Sequence, residues 1–130
     1  MDFSIKSIDD VNLLAEDFAG TRTFYQKVLG LPVAFEDQNT AVFKLENVMV
    51  CLTDVSAGPD PIAPVAVASP ESGSRFVLSV FVDDVDTACA ELAQRGVVLL
   101  NGPVDQPWGV RIASFADPAG HIWRIAQDLD

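Results

Sequence analysis

Apolar and polar positions alternate or recur along this chain in a pattern that predicts its elements before any other property is considered. Ile8–Ala15 is apolar-rich and fits a strand, and Asp17 then stands where a helix N-cap belongs. From Phe18 to Leu29 the residues Phe18, Thr21, Phe24 or Tyr25, and Val28 recur at steps of three and four, the helical period. Gly30 closes that helix and Pro32 prevents its continuation. Three short strands follow at Val33–Glu36, Thr40–Leu45 and Val48–Thr53, separated by the polar turns 37–39 and 46–47. The stretch from Asp54 to Ser74 is rich in proline and small residues, notably Ala57-Gly58-Pro59-Asp60-Pro61, and reads as a connector.

The pattern then starts again. Arg75–Val82 predicts a strand, Asp84 an N-cap, and Val85–Arg95 a helix with Val85, Ala88 or Cys89, and Leu92 as its apolar stripe. Gly96 ends the helix and Val97–Leu100 reads as a strand. Two apolar runs flanking Asp117-Pro118-Ala119-Gly120 then form a hairpin, in which Asp117 accepts local backbone bonds and Gly120 takes a positive φ. Thirteen steps separate Asp17 from Gly30 and twelve separate Asp84 from Gly96, so the two copies register within one residue. The predicted fold class is α+β: two βαβββ modules, about 1–55 and about 75–130, joined by a connector of about 56–74 within a single domain 1–130. In each module the helix covers one sheet face. The other faces are expected to form a concave, partly closed sheet around one cavity.

Composition narrows the function classes. The 130 residues are 49% hydrophobic, which suits one folded domain and excludes a disordered chain. Nineteen acidic against eight basic residues give a net charge of −11, which disfavours nucleic acid and anionic membrane surfaces and favours cationic small molecules. No apolar run approaches the roughly 20 residues of a membrane span. Met1-Asp2-Phe3-Ser4-Ile5-Lys6 has no basic segment leading into an apolar one, so the expected location is the cytoplasm. Cys51 and Cys89 lack CxxC spacing and are read as buried free thiols.

Three motifs carry a resemblance. Val11-Asn12-Leu13-Leu14-Ala15-Glu16-Asp17-Phe18 leads to Phe24-Tyr25-Gln26-Lys27-Val28-Leu29-Gly30-Leu31, close to an FYxxxLGL helix end. Val82-Asp83-Asp84-Val85-Asp86 precedes the second helix. Trp108-Gly109-Val110-Arg111 precedes Asp117-Pro118-Ala119-Gly120-His121, close to a WGxR and DPxGN hairpin. In this order and spacing they resemble the vicinal oxygen chelate superfamily, which includes glyoxalase I, extradiol dioxygenases, fosfomycin-resistance enzymes and bleomycin-resistance proteins. The resemblance implies a cavity between two open sheets. Metal-dependent members hold a divalent ion there with His and Glu from four strand positions. Carried over to this chain, those positions fall on Asp10, Val77, Arg124 and a fourth near Val50. Only Asp10 can ligate a cation, and a guanidinium cannot. No metal and no cofactor is therefore expected. His121, the only histidine, stands where the family often has Asn and is read as a turn residue.

Strand alternation puts Asp10, Asn12 and Leu14 on one face, Val77, Ser79 and Phe81 on another, and Ile122, Arg124 and Ala126 on a third, all expected to line the cavity. Asp10, Asn12, Ser79, Phe81, Trp108 and Arg124 are the candidate ligand-binding residues in a mostly apolar pocket. Two readings stay open at two places: Asp10 and Arg124 pair with each other or answer a ligand, and Trp108 stacks on a ligand or packs over the second helix. The Pro107-Trp108-Gly109-Val110-Arg111 string resembles bleomycin-resistance proteins, which implies a metal-free homodimer that binds a small-molecule ligand. A glyoxalase-like lyase or isomerase, with Asp10 as base and Arg124 holding an anionic oxygen, is the alternative.

Overall fold

In the computed structural model, residues 4–56 and 61–130 are described. The connector's Ala57-Gly58-Pro59-Asp60 and the first three residues lie outside them. The chain divides into two compact units, Met1–Val67 and Ala68–Asp130, each a four-stranded mixed sheet with one helical segment on it.

The first unit contains β1 (Asp10–Ala15), α1 (Phe18–Thr23), β2 (Val33–Glu36), β3 (Thr40–Lys44) and β4 (Met49–Asp54), in sheet order β1-β4-β3-β2. β1 runs parallel to β4 and the other pairs are antiparallel. The start of α1 follows from Asp17, whose Oδ1 accepts the Gly20 N–H at 3.1 Å. Its continuation departs from the sequence reading. Phe24–Val28 forms a π-helical turn, with the Leu29 N–H bonded to the Phe24 carbonyl at 3.1 Å. The wider turn resolves which of two neighbouring aromatics faces the sheet. Tyr25 is fully buried, 5.6 Å from the Phe43 ring centroid, whereas Phe24 is half-buried and meets Tyr25 edge-on. Leu13, Ala15, Ala41, Phe43, Val50 and Leu52 complete this core from the helix-covered side of the sheet.

The second unit contains β5 (Leu78–Phe81), α2 (Val85–Gln94), β6 (Asn101–Gln106), β7 (Val110–Ala116) and β8 (Ile122–Asp128), in order β5-β8-β7-β6, with β5 parallel to β8. The repeat found in the sequence is thus a repeat of topology. Asp84 caps α2 by accepting the Thr87 N–H at 3.0 Å, and Gly96 follows the helix at φ +87°. The Gln127 amide oxygen accepts the Val85 N–H at 2.8 Å, tying the helix start to β8. Val85, Cys89 and Leu92 pack with Ala113, Phe115, Trp123 and Ile125.

One predicted strand is misplaced. Val97–Leu100 is no strand: Val98 is 86% exposed, and the Val97 N–H goes back to the Leu92 carbonyl. The strand is β6, built from Asn101-Gly102-Pro103-Val104-Asp105-Gln106, a string that reads as a turn. It is an edge strand, where proline costs no ladder bond, and a bulge between Asn101 and Val104 absorbs the glycine. Gly102 sits there at φ +87°, and a Cβ would lie 2.5 Å from the Ile112 carbonyl oxygen. β1 and β5 are also shorter than their apolar runs, beginning at Asp10 and Leu78.

Candidate functional site

In each sheet, strand pairing decides which side chains share the face turned away from the helix. In the first unit Asp10 and Asn12 pair with Met49 and Cys51 of β4, and Cys51 in turn pairs with Val42 of β3. Asn12 and Thr53 share that face, with the Thr53 hydroxyl donating to the Asn12 amide oxygen at 2.7 Å. Val50, near which the fourth ligand position falls, pairs with Val11 and Phe43 and is buried on the helix side. Its neighbours Met49 and Cys51 face the other way. Burial pushes the Cys51 thiol up, and the nearby Asp10 carboxylate adds to the shift, so the sulfur stays protonated and unreactive at neutral pH.

In the second unit the register places four polar residues side by side, one on each strand. Ser79 of β5 pairs with Arg124 of β8, Arg124 with Ser114 of β7, and Ser114 with Asn101 of β6. The Arg124 Nε–H donates to the Ser79 hydroxyl oxygen at 3.1 Å. The same face carries Phe81, 66% exposed, and the exposed Val104; Val77, also exposed, immediately precedes β5. The expected inward set Ser79, Phe81 and Arg124 therefore lies on one sheet face. Ser114 and Asn101 join it unannounced. Ser114 could have been counted back from the Asp117–Gly120 turn, since hairpin register follows from the turn, but the bulge in β6 hides Asn101.

The two strand arginines have opposite environments. Arg111 points to the helix side, where its Nη1 meets Asp105 at 2.8 Å and its Nη2 meets Asp86 at 3.0 Å. Hydrogen bonds to Asp105 and then Asp86 raise its pKa further, so it is a permanently charged clasp between β6, β7 and α2. Within its own unit Arg124 has no carboxylate partner. Its Nε is committed to Ser79, which leaves the two terminal nitrogens.

Trp108 occupies the turn between β6 and β7, where the Gly109 N–H bonds the Gln106 carbonyl at 3.1 Å. The indole is 67% exposed, which leaves a large aromatic face accessible. His121 is a turn residue, but an anchored one: its Nδ1 lies 2.8 Å from Oδ2 of the buried Asp117. A shallow groove of about 300 Å³ at the ends of β5 and β8 is lined by Phe81, Val82, Asp83, Gln127 and Asp128.

These residues do not fit the divalent ion that the resemblance associates with this fold. Val77 has no donor atom, Arg124 is a permanent cation, and Asp10 is flanked on its face by Met49 and a protonated Cys51. Among the described residues no group of three or more His, Cys, Asp and Glu side chains is placed to hold a metal.

Comparison with known proteins agrees with the topology. Residues 7–125 match the family described as the Glyoxalase/Bleomycin resistance protein/Dioxygenase superfamily. The uncharacterized protein YraH of Bacillus subtilis (strain 168) is 30% identical over 123 residues, covering 92% of this chain and 96% of its own. A glyoxalase/bleomycin resistance protein/dioxygenase from Nocardioides shares the structure with a TM-score of 0.84 at 27% identity, over 98% of this chain and 87% of that one. TnmS3, an antibiotic binding protein from Streptomyces sp. CB03234, matches with a TM-score of 0.72 at 26% identity, over 97% and 98% of the two chains. In these described residues no helix is long and apolar enough to cross a membrane. By repeat, topology and family match together, the chain is a member of the Glyoxalase/Bleomycin resistance protein/Dioxygenase superfamily.

Proposed function

We propose that this chain is a metal-independent small-molecule binding protein that sequesters an antibiotic-like ligand, as a homodimer in the cytoplasm. One observation carries the reading: Arg124, bonded to Ser79, stands on the open sheet face where the resemblance puts an acidic metal ligand. Binding needs shape, an aromatic surface and a few oriented polar groups, and no catalytic group. Asp10, Asn12, Ser79, Phe81, Trp108 and Arg124 supply these in the proposal. The printed description of TnmS3, an antibiotic binding protein at 26% identity, supports the class of ligand. The net charge of −11 supports a ligand that carries positive charge overall, because the field of the whole protein draws it in.

The test has two arms. Protein purified from cells is analysed for divalent metals, and less than half an equivalent is expected; a stoichiometric metal overturns metal independence. Bleomycin is then titrated while Trp fluorescence and thermal stability are followed. Quenching of the exposed Trp108 and a raised Tm are expected. Unchanged fluorescence and Tm at millimolar bleomycin, together with no small molecule retained in native mass spectra of the purified protein, overturn the binding reading.

A further inference from the structure

We infer that the ligand presents a carboxylate to the polar row Ser79–Arg124–Ser114 on the sheet of the second unit, with its apolar body against Phe81. The inference rests on the binding reading above and names the chemistry of one end of the ligand.

The argument starts from the guanidinium. Arg124 is half-buried in a sheet face whose other large groups are apolar, and no carboxylate of its own unit pairs with it. A cation in such a setting is expensive unless an anion answers it. Arg111, thirteen residues earlier in the same hairpin, is answered twice, by Asp86 and Asp105, so carboxylates are not scarce in this unit. Those two stand on the helix side with Arg111; on the open face β8 carries Asp128, four residues along from Arg124 and without an ion pair to it.

The bonding of Arg124 selects the kind of anion. Its Nε–H is spent on the Ser79 hydroxyl at 3.1 Å, which removes the side-on approach through Nε. The end-on pair of terminal nitrogens is left, a planar fork whose spacing matches the two oxygens of a carboxylate. Because the Ser79 oxygen accepts from Arg124, its own proton is free to donate to a ligand oxygen. Ser114, on the other side of Arg124 in register, makes no side-chain hydrogen bond within the unit and offers a second hydroxyl. A fork flanked by two hydroxyl donors, bordered by the exposed Phe81, accepts an anion attached to a flat or apolar body. The row is specific to this half of the repeat. In the first unit the equivalent row is Asn12, Cys51 and Val42, which has no guanidinium and no flanking pair of hydroxyls.

The probes are 1-naphthoate, its neutral amide 1-naphthamide, and 1-naphthyl phosphate, titrated into the full chain at about 0.15 M salt so that the net negative charge is screened. Binding is read by calorimetry and by the Arg124 Nε–Hε cross-peak in nitrogen–proton spectra. Naphthoate is expected to bind at least tenfold tighter than naphthamide and to shift that cross-peak. Arg124→Gln should cost naphthoate at least tenfold while changing naphthamide by less than twofold. Ser79→Ala should cost naphthoate about threefold. Arg124→Lys keeps the charge and loses the fork, so it should fall between wild type and Arg124→Gln; it also serves if the glutamine variant fails to fold. Equal binding of acid and amide, tighter binding of the phosphate, or naphthoate affinity indifferent to Arg124 overturns the inference while leaving the binding reading standing. Naphthoate that does not bind at 10 mM overturns the inference as well; the bleomycin titration and native mass spectra then decide the binding reading separately.

Discussion

Asp117 should be among the costliest polar side chains in this protein to remove. Its carboxylate is buried at the turn between β7 and β8. Oδ1 accepts the Ala119 and His121 N–H groups, each at 2.9 Å, and Oδ2 lies 2.8 Å from His121 Nδ1. Asp117→Ala removes at least these three hydrogen bonds, two of them from half-buried backbone donors. A net hydrogen bond contributes about 1 kcal/mol, and one to a charged group about 1.5–3 kcal/mol. Hydration of the turn recovers part of that, so a loss of about 3 kcal/mol is expected. At this chain length that corresponds to a fall in Tm of about 10 °C. Asp117→Asn is the discriminating control. It keeps a neutral oxygen for the two N–H groups and an amide beside the His121 ring, so a loss of about 1 kcal/mol is expected. Urea unfolding followed by far-UV circular dichroism gives both numbers, with an unchanged m-value as the check that the native state is the same. An alanine variant that loses less than about 1 kcal/mol, or an asparagine variant as damaged as alanine, would refute the reasoning.

Four further outcomes follow from the geometry. Gly102→Ala combines a positive φ with a Cβ 2.5 Å from the Ile112 carbonyl oxygen, so it should cost about 3 kcal/mol; Gly96→Ala has the same sign of φ and open space, and should cost about 1 kcal/mol, with equal Tm losses arguing against the bulge as drawn. Asp84→Ala should remove the cap on α2 and about 1 kcal/mol of stability, measured by thermal unfolding, whereas an unchanged Tm would mean the Thr87 N–H is satisfied otherwise. The thiols of Cys51 and Cys89 are both pushed up, by burial first and then by Asp10 and Asp86 respectively. Folded pKa values above the unfolded ones mean that their stabilisation is complete below the ordinary thiol pKa and is lost as pH rises through the folded values. The urea midpoint should therefore fall as pH rises past the ordinary thiol value of about 8.5, and less so in the double Cys→Ser variant. In a Cys89→Ser background, Asp10→Asn should speed alkylation of Cys51 by roughly twofold, and an unchanged rate would place Asp10 away from the sulfur.

What the sequence disclosed and what it hid divide along one physical line. Caps and turns are decided within a few residues, so Asp17, Asp84 and Asp117 announce themselves by type and position, and the structure bonds each where expected. Phe24 and Tyr25 are different: period alone admits either in the core, and only a π turn that fits the sheet beneath chooses Tyr25. Asn101-Gly102-Pro103 has the composition of a loop and becomes strand because an edge asks for few bonds and a bulge accepts glycine. That Ser79 shares a face with Phe81, and Arg124 with Ala126, was legible because alternation is strict within a strand. That Ser114 and Asn101 continue their line depends on register between strands, which no single segment encodes.

The order of strands also bears on how the chain emerges during synthesis. In each unit the first strand pairs only with the last, β1 with β4 and β5 with β8, and both of these pairs are parallel. A ribosome releasing this chain therefore delivers β1 and its helix well before anything exists for β1 to pair with, while β2, β3 and β4 can meander together as they arrive. The unpaired edge of each first strand stays open until its unit is nearly complete. A charge at the head of β1, Asp10, and the four-residue length of β5 are features of the kind that discourage an open edge from pairing with another chain, and both strands keep an edge position in the finished sheets.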